Sequence, residues 1–496
     1  MRGTTVNVIE KRVLLVNPSK DDGFIVNRIH MGLTLLGQIL LSAGCQVKVM
    51  DYAFLEGIKG KLKIPSIEET LQEFKPDVIG ISVFTYLYDE CQSLIHRISQ
   101  CSKSPIILGG PHMSLFPEDF MNDKRISYIV RGEAECVILK LVDEAQPQHS
   151  PLIVDCPTPS ADEIPAVNLD IAFGSKYLEN YQLQLSRGCP FNCSFCNVDL
   201  IAGRKVRARN LELCIDQIME AKRRYHGIQA VTITDDCPTF NKERFKKFLA
   251  MFSEKNSDCI LTIDNVRADL IDEEILRLYV KAEGQNICLG VESGHPDVFK
   301  LVHKGESLEA IINAAKLIHK FNLQLGLCFV IGLPEDTIER HRYSVRLAKD
   351  LKADYIFWNM CIPWPGTEVH KWFTENGETG DVRNFSTLID AQVNFKSPPA
   401  WSPIFTKEER IKAWLTANLE TYTLPIFSIA NLHNLPANII KLIRLAKVYN
   451  MYKSFFIFMK GFIFHKVSSE VRKRLKIYQW KRGRKRGTRA THCEQP

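Results

Sequence analysis

Two runs of alternating strand-like and helix-like segments, separated by a proline-rich stretch, restrict what this chain can fold into. In the first run, "VLLVNP" (13–18), "VKVMD" (47–51), "VIGISVF" (78–84), "PIILGG" (105–110) and "YIVRGE" (128–133) are short segments rich in β-branched residues. Helix-length segments such as "MGLTLLGQILLSAG" lie between them, closed by a C-terminal glycine. Near-continuous apolar strands separated by helices predict a parallel sheet covered on both faces, a five-stranded doubly wound α/β domain over 1–146. Ligands of such sheets lie outside the carboxyl ends of the strands. Those ends carry "SVFTYLY", "GGPHMS" and "RGEAE".

Residues 147–180 are proline-rich and aperiodic, and read as a linker. The alternation restarts at 181 with "YQLQLSRG", "AVTITDD", "CILTIDN", "NICLGVESG", "LQLGLCFVIG" and "YIFWNMCIP". Six βα units in one run predict a partial (β/α)6 barrel over 181–379, whose working residues lie at the C-terminal strand ends. The remainder, 380–496, loses the alternation and is expected to be mainly helical. Within it, "ANIIKLIRLAKVYN" has the spacing of an amphipathic helix and "SFFIFMKGFIF" follows it. A helical cap on the barrel is the preferred reading; an element lying on a membrane surface is the alternative.

The chain lacks the apolar N-terminal run of a signal peptide and the ~18 consecutive apolar residues of a membrane span. A cytoplasmic protein, possible peripheral membrane contact aside, is therefore expected, with its fifteen cysteines as thiols or metal ligands rather than disulfides. The formal charge of +7 comes from the tail: residues 471–490 hold ten Lys/Arg and no acid. A solvated terminus is preferred there over contact with anionic lipid, and nucleic acid is not an expected partner.

The loop after the first strand of the second run is "SRGCPFNCSFCN". Cys189, Cys193 and Cys196 give three thiols, one more than a disulfide uses and one fewer than a structural zinc site wants. For zinc, Cys214 and His226 are candidate fourth ligands by sequence alone. Three thiolates on a cubane iron–sulfur cluster leave one iron open to a small chelating molecule. Phe195, just before the third cysteine, would shield the cluster from water.

These residues resemble the signature of the radical SAM superfamily, whose cluster binds S-adenosylmethionine (SAM) at the open iron. "TITDDCPTF", "GVESG", "FVIGLPEDT" and "PWPGT" resemble, in the right order, further segments of that superfamily's barrel. The resemblance covers about 181–376. It implies a [4Fe–4S] cluster on Cys189, Cys193 and Cys196, and SAM contacts at Asp235, Asp236, Glu292, Ser293, Gly332 and Pro334. The first domain resembles the Rossmann-like cobalamin-binding domain of one branch, which implies cobalamin contacts at Ser82, Thr85, Tyr86, Gly109, Gly110 and Glu133. The D-x-H-x-x-G motif that supplies an imidazole to cobalt is absent. His30 with Gly32 comes nearest and its spacing fails. A flavodoxin-like domain without cobalamin is the alternative.

The resemblance further implies an enzyme that cleaves SAM to a 5′-deoxyadenosyl radical and functionalises an unactivated carbon. C-methylation of a secondary metabolite or lipid-like substrate is the leading expectation, with an external electron donor such as flavodoxin or ferredoxin. An oxidative cyclase or ring-rearranging enzyme with the same cofactors is the rival within the branch. A binding protein with a degenerate cluster site is the rival outside it. Cys237 and Cys361 at strand ends are expected to pack rather than react, and His295 and His303 to be satisfied polar residues.

Overall fold

The computed structural model describes residues 9–19, 28–161, 164–255, 258–383 and 398–423, together with Met451, Ser454 and Phe458. The first run forms strands β1 (Arg12–Asn17), β2 (Gln46–Asp51), β3 (Val78–Ser82), β4 (Ile106–Gly109), β5 (Tyr128–Arg131) and β6 (Leu152–Asp155). They make one sheet in the order β2-β1-β3-β4-β5-β6, with every pair parallel. The strand order reverses between β1 and β3, and such a switch point opens a crevice at the carboxyl edge. Val13, Leu14, Val16, Val78, Ile79, Leu108 and Ile129 are fully or almost fully buried, as expected of a sheet covered on both faces.

The sixth strand corrects the reading of 147–180 as a linker. Residues 152–155 pair with β5, and Asp155 accepts a hydrogen bond from Arg131 (2.5 Å). At the opposite edge, Ala172 bridges to Val49 and the Phe173 N–H donates to Val49 O (2.9 Å). Leu169, Ile171 and Ala172 are buried in the core. The segment therefore wraps the sheet and touches both of its edges. Its strand has only four residues, with Leu152 and Ile153 exposed, so no hydrophobic period marks it.

The second run gives β7 (Asn180–Leu183), a short antiparallel pair β8 (Ser186–Arg187) and β9 (Arg207–Ala208), then β10 (Ala230–Ile233), β11 (Ile260–Ile263), β12 (Asn286–Glu292), β13 (Gln324–Ile331) and β14 (Tyr355–Met360). Parallel triplets β7-β10-β11 and β12-β13-β14 are joined by bridges Leu261–Gly284 and Val266–Leu289. Six parallel strands thus follow one another in chain order as an open arc, the partial barrel the sequence predicts. Helices such as Leu211–Arg224 and Leu308–Lys320 bury their apolar faces against it.

Beyond the barrel, Glu378–Thr379 pairs with Ala400–Trp401, and the helix Lys407–Glu420 is capped by a Thr406/Glu409 box. That helix lies on β14: Trp414 Nε1–H donates to Trp358 O and Trp358 Nε1–H to Thr421 Oγ1, both at 3.0 Å. The amphipathic stretch 437–450, most of "SFFIFMKGFIF" and the basic tail lie outside the described residues. Among the described residues no helix is long and apolar enough to cross a membrane.

Candidate functional site

The cysteine loop hangs from the β8/β9 pair and is pinned at several points. Gly188 has φ +87°, and a Cβ there would meet Lys205 O at 2.6 Å, so only glycine fits. Its N–H donates to Asp236 Oδ2 (2.8 Å), and Cys189 N–H donates to Gly203 O (3.1 Å). Ser194 is buried; its N–H donates to Val302 O and its hydroxyl to Leu301 O (both 2.9 Å). Phe195 packs into a small apolar cluster with Val298, Val302, Leu333 and Phe373.

All three cysteines are half-buried thiols. A hydrogen bond with Cys237 pulls Cys189 down to about 7, whereas burial pushes Cys193 up to about 11 and also raises Cys196. Lys304 and Arg267 are cations that oppose the rise at Cys193. Among the described residues, no three His, Cys, Asp or Glu side chains are placed to hold a single metal ion. A cluster with one thiolate per iron asks instead for separated soft donors beside positive charge, and the trio fits that requirement.

Two aspartates from the end of β10 play different parts. Asp235 is fully buried, with Oδ1 accepting from Leu185 N–H (2.7 Å) and Oδ2 from Ser186 O–H (2.6 Å). Burial pushes its carboxyl up to about 7. It staples β10 to the start of the cysteine loop, while Asp236 holds Gly188 and lines the crevice described below.

On the opposite side, Glu292 ends β12 with φ +63° and pairs with the buried Lys304 (3.0 Å). Lys304 also pairs with Glu306 (2.7 Å) and donates to Gly290 O. Neighbouring Ser293 is buried and accepts from His295 N–H (3.2 Å). Gly332 has φ +80° in the turn after β13, with Pro334 buried two residues on. Its N–H donates to Asp336 Oδ2 (3.0 Å), and its carbonyl accepts from Arg410 Nη1 (2.9 Å), which reaches in from the helix Lys407–Glu420.

A crevice of about 320 Å³ runs from the carboxyl edge of the first sheet to the cysteine loop. Ser82, Gly109, Gly110 and Glu133 line it from one side and Gln184, Arg187 and Asp236 from the other, over a floor that includes Val13, Leu15 and Ile107. Gly110 has φ +97°, and a Cβ on it would fall 2.9 Å from Val83 backbone atoms. His30 stands at the wall with both ring nitrogens used. Leu33 N–H donates to Nδ1 (3.2 Å), which leaves Nε2–H to donate to Ser82 Oγ (2.8 Å). A broad, glycine-edged crevice with no free imidazole among the described residues fits a large planar cofactor held without a histidine on its metal. Thr85 and Tyr86 are not on this wall: Thr85 is buried against His112 Nδ1 (3.1 Å), and Tyr86 is exposed beside Phe84.

Four groups here were not found from sequence: Lys304, Arg267, Arg410 and the Arg187/Arg207 pair. Arg267 lies over the Phe191 ring of the cysteine loop (3.6 Å to the centroid) and donates to Lys304 O (2.6 Å). Lys304 and Arg267 left a local signal, an acid two residues on in each case, Glu306 and Asp269. The carbonyl and carboxylate partners of Arg410 and of the Arg187/Arg207 pair, Gly332 and Glu133, are distant in sequence.

Comparison with known proteins identifies the two halves. Residues 183–348 match the family model "Radical SAM superfamily", and 28–142 match "B12 binding domain". The chain therefore carries a radical SAM domain, with a B12-binding domain ahead of it. Its cofactors are accordingly a [4Fe–4S] cluster, SAM and cobalamin.

An uncharacterized methyltransferase of Pyrococcus horikoshii is 26% identical over 399 residues, covering 76% of this chain and 85% of that one. An anaerobic magnesium-protoporphyrin IX monomethyl ester cyclase of Rubrivivax gelatinosus is 24% identical over 376 residues, covering 70% and 66%. The structure of the radical S-adenosylmethionine methyltransferase TsrM from Kitasatospora setae, with cobalamin and a [4Fe–4S] cluster bound, shares the fold. It superposes with a TM-score of 0.60 at 17% identity, over 86% of this chain and 90% of that one.

Proposed function

We propose that this enzyme C-methylates an unactivated carbon of an apolar or lipid-like metabolite. Cys189, Cys193 and Cys196 hold the cluster. Glu292, Ser293, Gly332 and Pro334 surround SAM on the far side of the mouth, and Asp235 and Asp236 fix the near side. Ser82, Gly109, Gly110 and Glu133 border the corrin. Bound, the cluster supplies the electron that cleaves SAM and cobalamin carries the methyl group; the protein's share is placement and exclusion of water. The observation that supports this reading is a crevice bordered by the B12-binding segment on one side and by the base of the cysteine loop on the other.

The working boundaries are 1–146 for the cobalamin domain, 147–180 for the wrapping connection, 181–379 for the barrel and 380–496 for the C-terminal region. An external flavodoxin or ferredoxin delivers the electron. A second reading, secondary to a solvated terminus, has the basic tail contact an anionic membrane surface where the substrate is met. Vesicles of anionic phospholipid should bind the full chain more tightly than a chain ending at residue 470; equal binding rejects the membrane contact.

Anaerobic reconstitution with iron, sulfide, cobalamin, reductant and SAM tests the reaction. Formation of both 5′-deoxyadenosine and S-adenosylhomocysteine is the expected result. Deoxyadenosine without S-adenosylhomocysteine would instead assign the chain to the cyclase chemistry that its relative in Rubrivivax gelatinosus represents.

A further inference from the structure

The β8/β9 pair that carries the cysteine loop has an unfavourable register. Ser186 faces Ala208, and Arg187 faces Arg207 directly across the two antiparallel strands. Like charges directly opposite each other destabilise a ladder. Both arginines are also buried, with side chains less than a tenth exposed, so water does not screen them. Each strand is only two residues long and cannot offset that cost by its own hydrogen bonds. Yet everything from Gly188 to Val206, including the three cysteines, hangs between these two arginines.

The compensating charge comes from the other half of the molecule. Glu133 Oε2 accepts from Arg187 Nη1 (2.6 Å) and from Arg207 Nη1 (2.9 Å), and its Oε1 accepts from Arg207 Nη2. Glu135 adds a second acceptor for Arg187 (2.6 Å). The other bonds of the two guanidiniums go to Gln184 Oε1, Pro159 O and Ala202 O, which are neutral. Burial would raise the Glu133 carboxyl, but hydrogen bonds from Arg207 and the charge of Arg187 hold it below its ordinary range. Two buried cations are therefore bonded by two carboxylates, with the Asp236 carboxylate close enough to interact with both, and among the described residues only Glu133 bonds to both arginines.

We propose that Glu133, contributed by the B12-binding segment, is the counter-ion that lets the cluster-bearing hairpin close. It acts as a positioning residue for the cysteine loop, in addition to bordering the corrin. The inference rests on the cofactor reading above. It makes the geometry of the radical SAM loop depend on a carboxylate 56 residues before Cys189, within the segment that matches the other family model. A cluster loop built this way closes only when both halves are docked.

The experiment follows cluster stability in the full chain reconstituted without cobalamin, so that a direct contact between Glu133 and the corrin plays no part. Iron release to a chelator is timed by the loss of cluster absorbance. Glu133→Gln should release iron at least about tenfold faster than the native chain, because it leaves two facing buried cations under-compensated. Glu133→Gln combined with Arg207→Gln removes the facing charge as well and should recover most of the native lifetime. A native release rate in folded Glu133→Gln overturns the proposal. So does a double variant no slower than the single one, since packing rather than charge would then be responsible. Should Glu133→Gln fail to fold, a double variant that folds and keeps its cluster supports the proposal, and one that also fails overturns it. A native chain that takes up no cluster would instead overturn the cofactor reading itself.

Discussion

The two cofactor regions are built on opposite principles. The crevice at the edge of the first sheet is shaped by what is missing: glycines at 80, 109, 110 and 132 and an apolar floor of Val13, Leu15, Val78 and Ile107. The barrel mouth is shaped by charged and polar side chains tied to backbone. Asp235 holds Leu185, Asp236 holds Gly188, Ser194 holds Leu301, Lys304 holds Gly290 and Arg410 holds Gly332. A bulky planar ligand needs room and an apolar bed, which missing side chains provide. A small chelated molecule beside a charged cluster needs fixed dipoles, and buried polar groups with satisfied bonds provide those. The two regions should therefore fail differently when substituted.

The largest effect is expected at the cluster. Cys193→Ala removes one of the three proposed iron ligands and should abolish both deoxyadenosine and S-adenosylhomocysteine formation, with bound iron falling from about four per chain toward zero. Product formation by that variant would break the cluster assignment. Cobalamin binding, read by absorbance titration, should survive in it.

The reverse separation is expected from Gly110→Val. A branched side chain at φ +97°, with Val83 backbone 2.9 Å from its Cβ, must displace the crevice wall. Cobalamin affinity should fall at least about tenfold while iron content stays native. Loss of both cofactors together would mean that Gly110, like Glu133, couples the crevice wall to the cysteine loop. A smaller effect is expected from Ser194→Ala, which deletes one side-chain hydrogen bond worth about 1 kcal/mol and should speed iron release about fivefold. An unchanged rate would show that the Ser194 backbone bond to Val302 holds the loop by itself.

The same contrast governs how much could be read from the sequence. The cysteine spacing, the strand order of the barrel and the glycines at 109 and 110 were legible because each is a local pattern with a local cause. Glu292 and Gly332 were legible as motif residues, but their partners were not. Lys304 lies 12 residues from Glu292 and Arg410 lies 78 residues from Gly332, and nothing in a single chain marks such pairs. Asp235 was read as a SAM contact, yet both of its oxygens are occupied by Leu185 and Ser186, a division of labour that adjacent aspartates do not reveal. Strand β6 escaped because an exposed four-residue edge strand has no core face to pattern. Thr85 and Tyr86 read in the sequence as one polar loop facing the corrin, but the one-turn helix Thr85–Leu87 turns Thr85 inward to His112 instead.

The smallest effect on either cofactor is expected behind the barrel, at His341. Its ring is fully buried on the helix Ile338–Asp350, edge-on to Trp358 at 5.5 Å, and Nε2 has no hydrogen-bond partner among the described residues. Burial pulls its pKa down to about 4 from the ordinary 6.5. Between those values the unfolded chain binds a proton that the folded chain does not, so stability must rise with pH across that window. His341 therefore costs nothing above pH 6.5, and the penalty grows to about 3 kcal/mol as the pH falls toward 4. His341→Leu removes the titrating group and keeps an apolar side chain against Trp358. The denaturation midpoint of the cofactor-free variant should then fall less steeply between pH 6.5 and 4.5 than that of the native chain, with cofactor binding at neutral pH unchanged. An equally steep fall would move the acid sensitivity to other buried groups. A change in cofactor binding would show that the outer layer of the barrel is coupled to its mouth, which the separate bonding of Trp358 to Thr421 and Trp414 argues against.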